Sequence, residues 1–168
     1  MNKEQRFNNV YIENKDKIYR ICCFYIKDED DRKDLFQEVL TNIWRGLDRF
    51  EGRSKISTWI YRIAVNTSMA FFKKQHSEID KINGIEKELS IEAQEQPNEN
   101  EQEAIHRLHH AISDLNKLEK AIVSLMIEDV SQKEIAEVMG FSENNMRVKI
   151  HRIKNKLKSI LKTESHGY

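Results

Sequence analysis

The chain's 168 residues carry 28 Lys and Arg against 28 Asp and Glu, a formal net charge of zero, with 39% hydrophobic and 33% charged residues. Only 5 Gly and 1 Pro interrupt it, a shortage of helix breakers that favours an all-α fold. No apolar run reaches the ~18 residues of a membrane span, and the opening "MNKEQRFNNVYIENK" lacks a signal peptide's apolar core, so membrane insertion is excluded and a cytoplasmic protein is expected.

In chain order, Phe7, Val10, Tyr11, Ile18, Ile21, Cys22 and Tyr25 recur at helical spacing and predict a first helix. The adjacent Cys22 and Cys23 bridge only with strain and offer too few ligands for zinc, so both are expected reduced. "DEDD" at 28–31 supplies an N-cap and acids for a second helix, which carries Leu35, Phe36, Val39, Leu40, Ile43, Trp44 and Leu47. Gly52 marks a break. Ser57 then caps a third helix running to about Lys74, with Ile60, Ile63, Ala64, Thr67 and Phe71 as its core stripe. Thr58, Arg62, Asn66, Met69 and Lys73 lie opposite. Around 76–100 the pattern fades into polar, acidic sequence with the single proline, which reads as a flexible linker. Order resumes with Ile105, Leu108, Ile112 and Leu115, then Leu118, Ile122, Leu125 and Met126. The expected architecture is two small helical domains, 1–75 and 101–168, joined by an acidic linker.

The end of the chain carries a more specific signal. In "VSQKEIAEVMGFSENNMRVKIHR", Ser131 to Glu134 forms a capping box that starts a helix with Ile135, Ala136 and Met139 facing inward. Gly140 can adopt the positive φ of a helix C-cap, and Ser142 can cap the next helix. A short helix, a glycine turn and a second helix make a helix-turn-helix. Met146, Ile150, Ile153 and Leu157 line one face of the second helix, with Asn144, Val148, His151, Arg152 and Asn155 opposite. That face suits a major groove: Arg152 can bond guanine, Asn144 adenine, and Val148 can meet a thymine methyl. Arg147 and Lys149 flank it, where phosphates would lie.

Zero net charge conceals a partition that supports this reading. From Ser142 to Lys162 there are seven Lys or Arg and one acid, and from Arg49 to Gln75 six and one. Glu78 to Glu103 holds nine acids and two lysines. Two basic blocks flanking an acidic one point to a polyanion partner. In the first block, Phe50, Trp59 and Tyr61 interleave with cations, a composition suited to a strand whose bases are unstacked and captured.

Taken together, "DLFQEVLTNIW", "FEGRSKISTWIYRIAVNT" and "SQKEIAEVMGFSENNMRVKIHRIKNKLK" resemble an extracytoplasmic-function sigma factor, over about residues 7–75 and 101–162. The resemblance implies binding to core RNA polymerase and promoter-directed initiation. It implies that Asp34, Leu35, Gln37, Glu38 and Asn42 contact a coiled coil of the largest polymerase subunit. It implies a minus-ten reader made of Phe50, Arg53, Ser54, Lys55, Ser57, Thr58, Trp59, Arg62 and Asn66. For the minus-thirty-five element it implies Arg147, Val148, His151 and Arg152 at the DNA, with Gln132 and Lys133 near its backbone. Asn144, Asn145 and Lys149 complete that set. An anti-sigma factor is an expected partner, and no cofactor is expected. The chain departs from the family in lacking a proline near "LNKLEKA" and in beginning its recognition helix "SENN".

Two other classes remain at this stage. A stand-alone helix-turn-helix regulator would bind duplex operators without polymerase. A metalloprotein could use His106, His109 and His110, whose spacing can share a metal, or Asp30, Asp31 and Asp34. No nucleophile–base pair or phosphate-binding glycine loop suggests an enzyme.

Overall fold

A computed structural model describes residues 2–83, 111–112 and 114–165 of the chain. Among these residues every regular element is helical. Helix α1 spans Lys3–Tyr25, begun by an Asn2–Gln5 capping box in which the Gln5 amide donates to Asn2 Oδ1 at 2.8 Å. Helix α2 spans Glu29–Gly46; Asp28 Oδ1 accepts the amides of Asp30 and Asp31 at 3.0 Å each, and the acids 29–31 complement the helix dipole. A 3₁₀ turn at Leu47–Arg49 leads to α3, Ile56–Asn83. Helices α4 (Lys117–Ile127), α5 (Gln132–Met139) and α6 (Glu143–Ser165) form the C-terminal half. An Asn116–Glu119 capping box begins α4.

Helices α1 to α3 pack as a three-helix unit around Ile18, Ile21, Leu35, Val39, Ile43 and Ile60. In the second unit Ile122, Leu125, Ile135, Ala136, Met146 and Ile153 are buried. Val138 rather than Met139 is the third buried residue of α5.

Three expectations change. Helix α3 starts at Ile56, so Ser57 lies inside it, and the Lys55 carbonyl takes the first helical bond from the Trp59 amide at 3.1 Å. The helix continues to Asn83, well into the expected linker; the linker beyond that point lies outside the described residues. The buried surface of α3 is also wider than one stripe. Tyr61, Val65, Ser68 and Phe72 are buried, while Ile63 and Phe71 are half-buried.

The cause is contact between the halves. Helix α3 packs against α5 and α4, and α1 against α4. A helix covered on two sides buries more than the stripe its own domain requires. Both cysteines are free; burial, ahead of the neighbouring Cys23, pushes the Cys22 thiol up to about 12, so it is un-ionised at neutral pH. Within the described residues no helix is long and apolar enough to cross a membrane.

Candidate nucleic-acid interface

The helix-turn-helix is built as its local sequence requires. The Glu134 amide donates to Ser131 Oγ at 3.3 Å while the Glu134 carboxylate accepts from the Ser131 amide at 3.4 Å. Helix α5 ends at Gly140 with φ +73°, a region where any side chain is strained, and the Phe141 amide donates back to the Ala136 carbonyl at 2.9 Å. Ser142 Oγ then caps α6 by accepting the Asn145 amide at 3.2 Å.

Met146, Ile150 and Ile153 anchor α6 to the core. That anchoring turns Asn144, Asn145, Arg147, Val148, His151 and Arg152 outward, all exposed. Val148 is 49% exposed, which leaves its methyls free to meet a groove. His151 Nε2 pairs with the Asn155 amide at 3.0 Å, one turn away. Lys149 is half-buried with its ammonium 4.8 Å from the Phe141 ring centre, so it braces the turn as well as flanking the face. Lys133 is exposed and Gln132 half-buried at the start of α5. Of the nine predicted residues seven are exposed, while Gln132 and Lys149 are half-buried.

The second face surrounds the start of α3. Phe50 and Trp59 form a tilted ring pair with centres 5.3 Å apart. Trp59 rests on Gly46 of α2, where an added Cβ would stand 2.8 Å from its ring. Arg53 is exposed and pairs with Glu51 at 2.6 Å. Ser54 Oγ donates to the Lys55 carbonyl at 3.3 Å, and Asn66 is exposed. One predicted contact does not reach the surface, and a second is only partly exposed. Thr58 is 1% exposed with a buried hydroxyl lacking a partner, and Ser57 is half-buried inside the helix. Thr58 is therefore a packing residue in this arrangement.

The two central cations of this face are already engaged. Lys55 Nζ binds Glu134 Oε1 at 2.9 Å, and the Arg62 guanidinium donates to the Glu137 carbonyl. The Lys55 contact, ahead of Ser131, lowers the Glu134 carboxyl below its ordinary value, and Glu134 raises the Lys55 ammonium.

On α2, Asp34, Gln37 and Glu38 are exposed in a row. Leu35 is fully buried and works from within. Asn42 Nδ2 donates to Thr67 Oγ1 at 3.2 Å, tying α2 to α3 rather than reaching outward. Leu35 and Asn42 thus hold α2 in place.

Sequence reasoning missed Arg20 and Glu128. Arg20 Nε and Nη2 bond the two Glu128 carboxylate oxygens at 2.7 and 2.8 Å, 108 positions away, and the Glu128 side chain is only 5% exposed. Neither lies in a motif. The nearest signal was a polar "ED" directly after the apolar pattern of α4. Among the described residues no three His, Cys, Asp or Glu gather to hold a metal; His106, His109 and His110 lie outside them.

Residues 10–78 match the family model of sigma-70 region 2 and residues 105–157 that of sigma-70 region 4. The chain is 29% identical to the RNA polymerase sigma factor SigV of Bacillus subtilis, covering 83% of this chain and 81% of that one. It is 27% identical to the ECF RNA polymerase sigma-E factor of Escherichia coli K12, covering 95% and 90%. In fold it is similar to the sigma factor RpoE of Bartonella quintana solved with the anti-sigma factor NepR: TM-score 0.73, 20% identity, 94% of this chain and 98% of that one.

Proposed function

The chain belongs to the extracytoplasmic-function sigma factors, and on that footing we propose how its residues divide the work of initiation. It binds core RNA polymerase and directs it to promoters. One observation carries the reading: a sigma-70 region 2 match and a region 4 match follow each other in one chain, each with its own cationic face. A stand-alone duplex-binding regulator has no use for the first, and that reading is set aside.

The exposed Asp34, Gln37 and Glu38 of α2 meet polymerase, oriented by Leu35 and by the Asn42–Thr67 bond. The α6 face binds duplex DNA at the minus-thirty-five element. Arg147 and Lys133 reach phosphates, while Asn144, Val148, His151 and Arg152 meet base edges. The loop before α3 and its first turns take the minus-ten element as an opened strand. Extracting a base from the stack costs a few kcal/mol, and an aromatic platform such as Phe50–Trp59 returns ~1–3 kcal/mol per stacked base. Arg53, Lys55, Arg62 and Asn66 add phosphate and polar contacts. Two modest readers joined by polymerase reach a specificity neither has alone.

The division into 1–75, a linker and 101–168 follows this plan, with α3 carrying the first unit further than 75. Such a protein works in the cytoplasm and is no enzyme. An anti-sigma factor is its natural regulator, as one is bound to the Bartonella quintana relative. The test is in vitro transcription with purified core polymerase and genomic DNA. New start sites sharing two spaced upstream elements are expected. Duplex binding without polymerase binding or new starts would restore the stand-alone regulator.

A further inference from the structure

The geometry points to the C-terminal half as an interaction surface for the chain's own minus-ten face, so that free protein holds that face closed and promoter strand competes with it. This rests on the assignment of Lys55 and Arg62 to the opened strand.

The contact places acids and acceptors where phosphates would go. Glu134 neutralises Lys55, and the Glu137 carbonyl takes the Arg62 guanidinium. Lys55 and Arg62 are exposed, so these two contacts hold little by themselves. The anchor lies away from the reading face. Arg20 grips the nearly buried Glu128 with both carboxylate oxygens, and Lys17 Nζ reaches the Glu128 carbonyl at 3.4 Å. Lys117 places its ammonium 5.6 Å from the centre of the Phe72 ring across the seam. The minus-thirty-five face on α6 takes no part and stays open.

The seam is also built to part. It holds a pocket of about 280 Å³, open in part to solvent, between Tyr25, Met69 and Phe72 on one side and Leu115, Lys117 and Lys120 on the other. The Tyr25 hydroxyl is buried beside Ser124 without a hydrogen bond of good geometry, a debt that water would settle on opening. A domain core is packed more completely than this. Polymerase or promoter therefore needs to displace a contact held by one bidentate pair and an incompletely filled apolar seam.

The test uses the full chain as Arg20→Glu, Glu128→Arg and the double exchange, none of which touches the proposed DNA or polymerase residues. Helical circular dichroism checks folding. Small-angle X-ray scattering reads compactness, and a fluorescein-labelled thymidine-rich single strand reads the minus-ten face. Each single reversal is expected to increase the radius of gyration and raise strand affinity about tenfold, because apparent affinity scales with the open fraction. The double exchange restores the pair and is expected to reverse both. Unchanged compactness in both singles overturns the closed form. Expansion without a gain in strand binding overturns the competition. Adding Arg62→Ala to Arg20→Glu separates the two readings: strand binding that appears on opening and is lost with Arg62 supports both. Strand binding that appears but survives the loss of Arg62 overturns the minus-ten assignment and leaves the closed form standing.

Discussion

On α6, Arg147, Val148, His151 and Arg152 face solvent, whereas at the start of α3 Lys55 and Arg62 already hold the Glu134 carboxylate and the Glu137 carbonyl. Both faces are cationic helix surfaces, and both were read from the same kind of charge pattern. What separates them is what packs behind. The back of α6 is buried on its own unit, so its charged side has nowhere to go but outward. Helix α3 is covered on two sides, and its charged edge falls against another part of the chain. Composition locates a binding face; packing decides whether it is available.

The contrast can be broken or sharpened by substitution. The largest effect is expected from Gly140→Val, which forces a β-branched residue to φ +73°. The turn should lose ~1–3 kcal/mol or more, lowering the thermal midpoint and abolishing duplex binding together. An unshifted midpoint in calorimetry would show that the turn does not depend on this backbone conformation. Arg152→Ala comes next. It should weaken binding of duplex minus-thirty-five DNA by ~1–3 kcal/mol while leaving single-strand binding untouched, since the two faces are independent. Equal losses on both probes in fluorescence anisotropy would contradict that independence.

Gly46→Ala acts on the covered side. Its methyl would lie 2.8 Å from Trp59 and displace that ring from its seat, at a cost of ~1–3 kcal/mol. Promoter melting, followed by permanganate reactivity, should fall while binding to core polymerase persists. Normal melting would remove Trp59 from the base trap. The smallest effect belongs to Glu134→Gln. Glutamine keeps the capping box but loses the charge on Lys55, a change worth at most ~1 kcal/mol for so exposed a pair. Here the sign with pH is fixed. Glu134 titrates below its ordinary value in the folded chain, so its contribution is complete above the usual carboxylate range and vanishes as pH falls through the depressed value. Acid denaturation curves of wild type and Glu134→Gln should converge at low pH; a constant gap would assign the contribution elsewhere.

Much of this was legible in the sequence. Caps at Asp28, Ser131 and Ser142 and the left-handed Gly140 are short-range signals, and each was read correctly. The outward face of α6 followed from helical period alone. The 3₁₀ turn at Leu47–Arg49 and the Asn116–Glu119 cap were local but went unread. Leu35 and Thr58 show a different limit: resemblance transfers a motif position without saying which side of the helix it occupies, and both point inward. Arg20 and Glu128 were beyond reach for a third reason. A partner 108 positions away leaves no periodic trace, and each residue alone reads as an ordinary surface charge.

The incomplete packing around the buried Tyr25 hydroxyl also bears on how the chain responds to compression. Cavities add to a protein's volume, and any rearrangement that floods them is favoured by hydrostatic pressure. Parting the seam brings water to the buried Tyr25 hydroxyl and hydrates Lys120, which burial otherwise disfavours in its charged form. Raised pressure therefore shifts the population toward separated halves, without any change of salt or sequence.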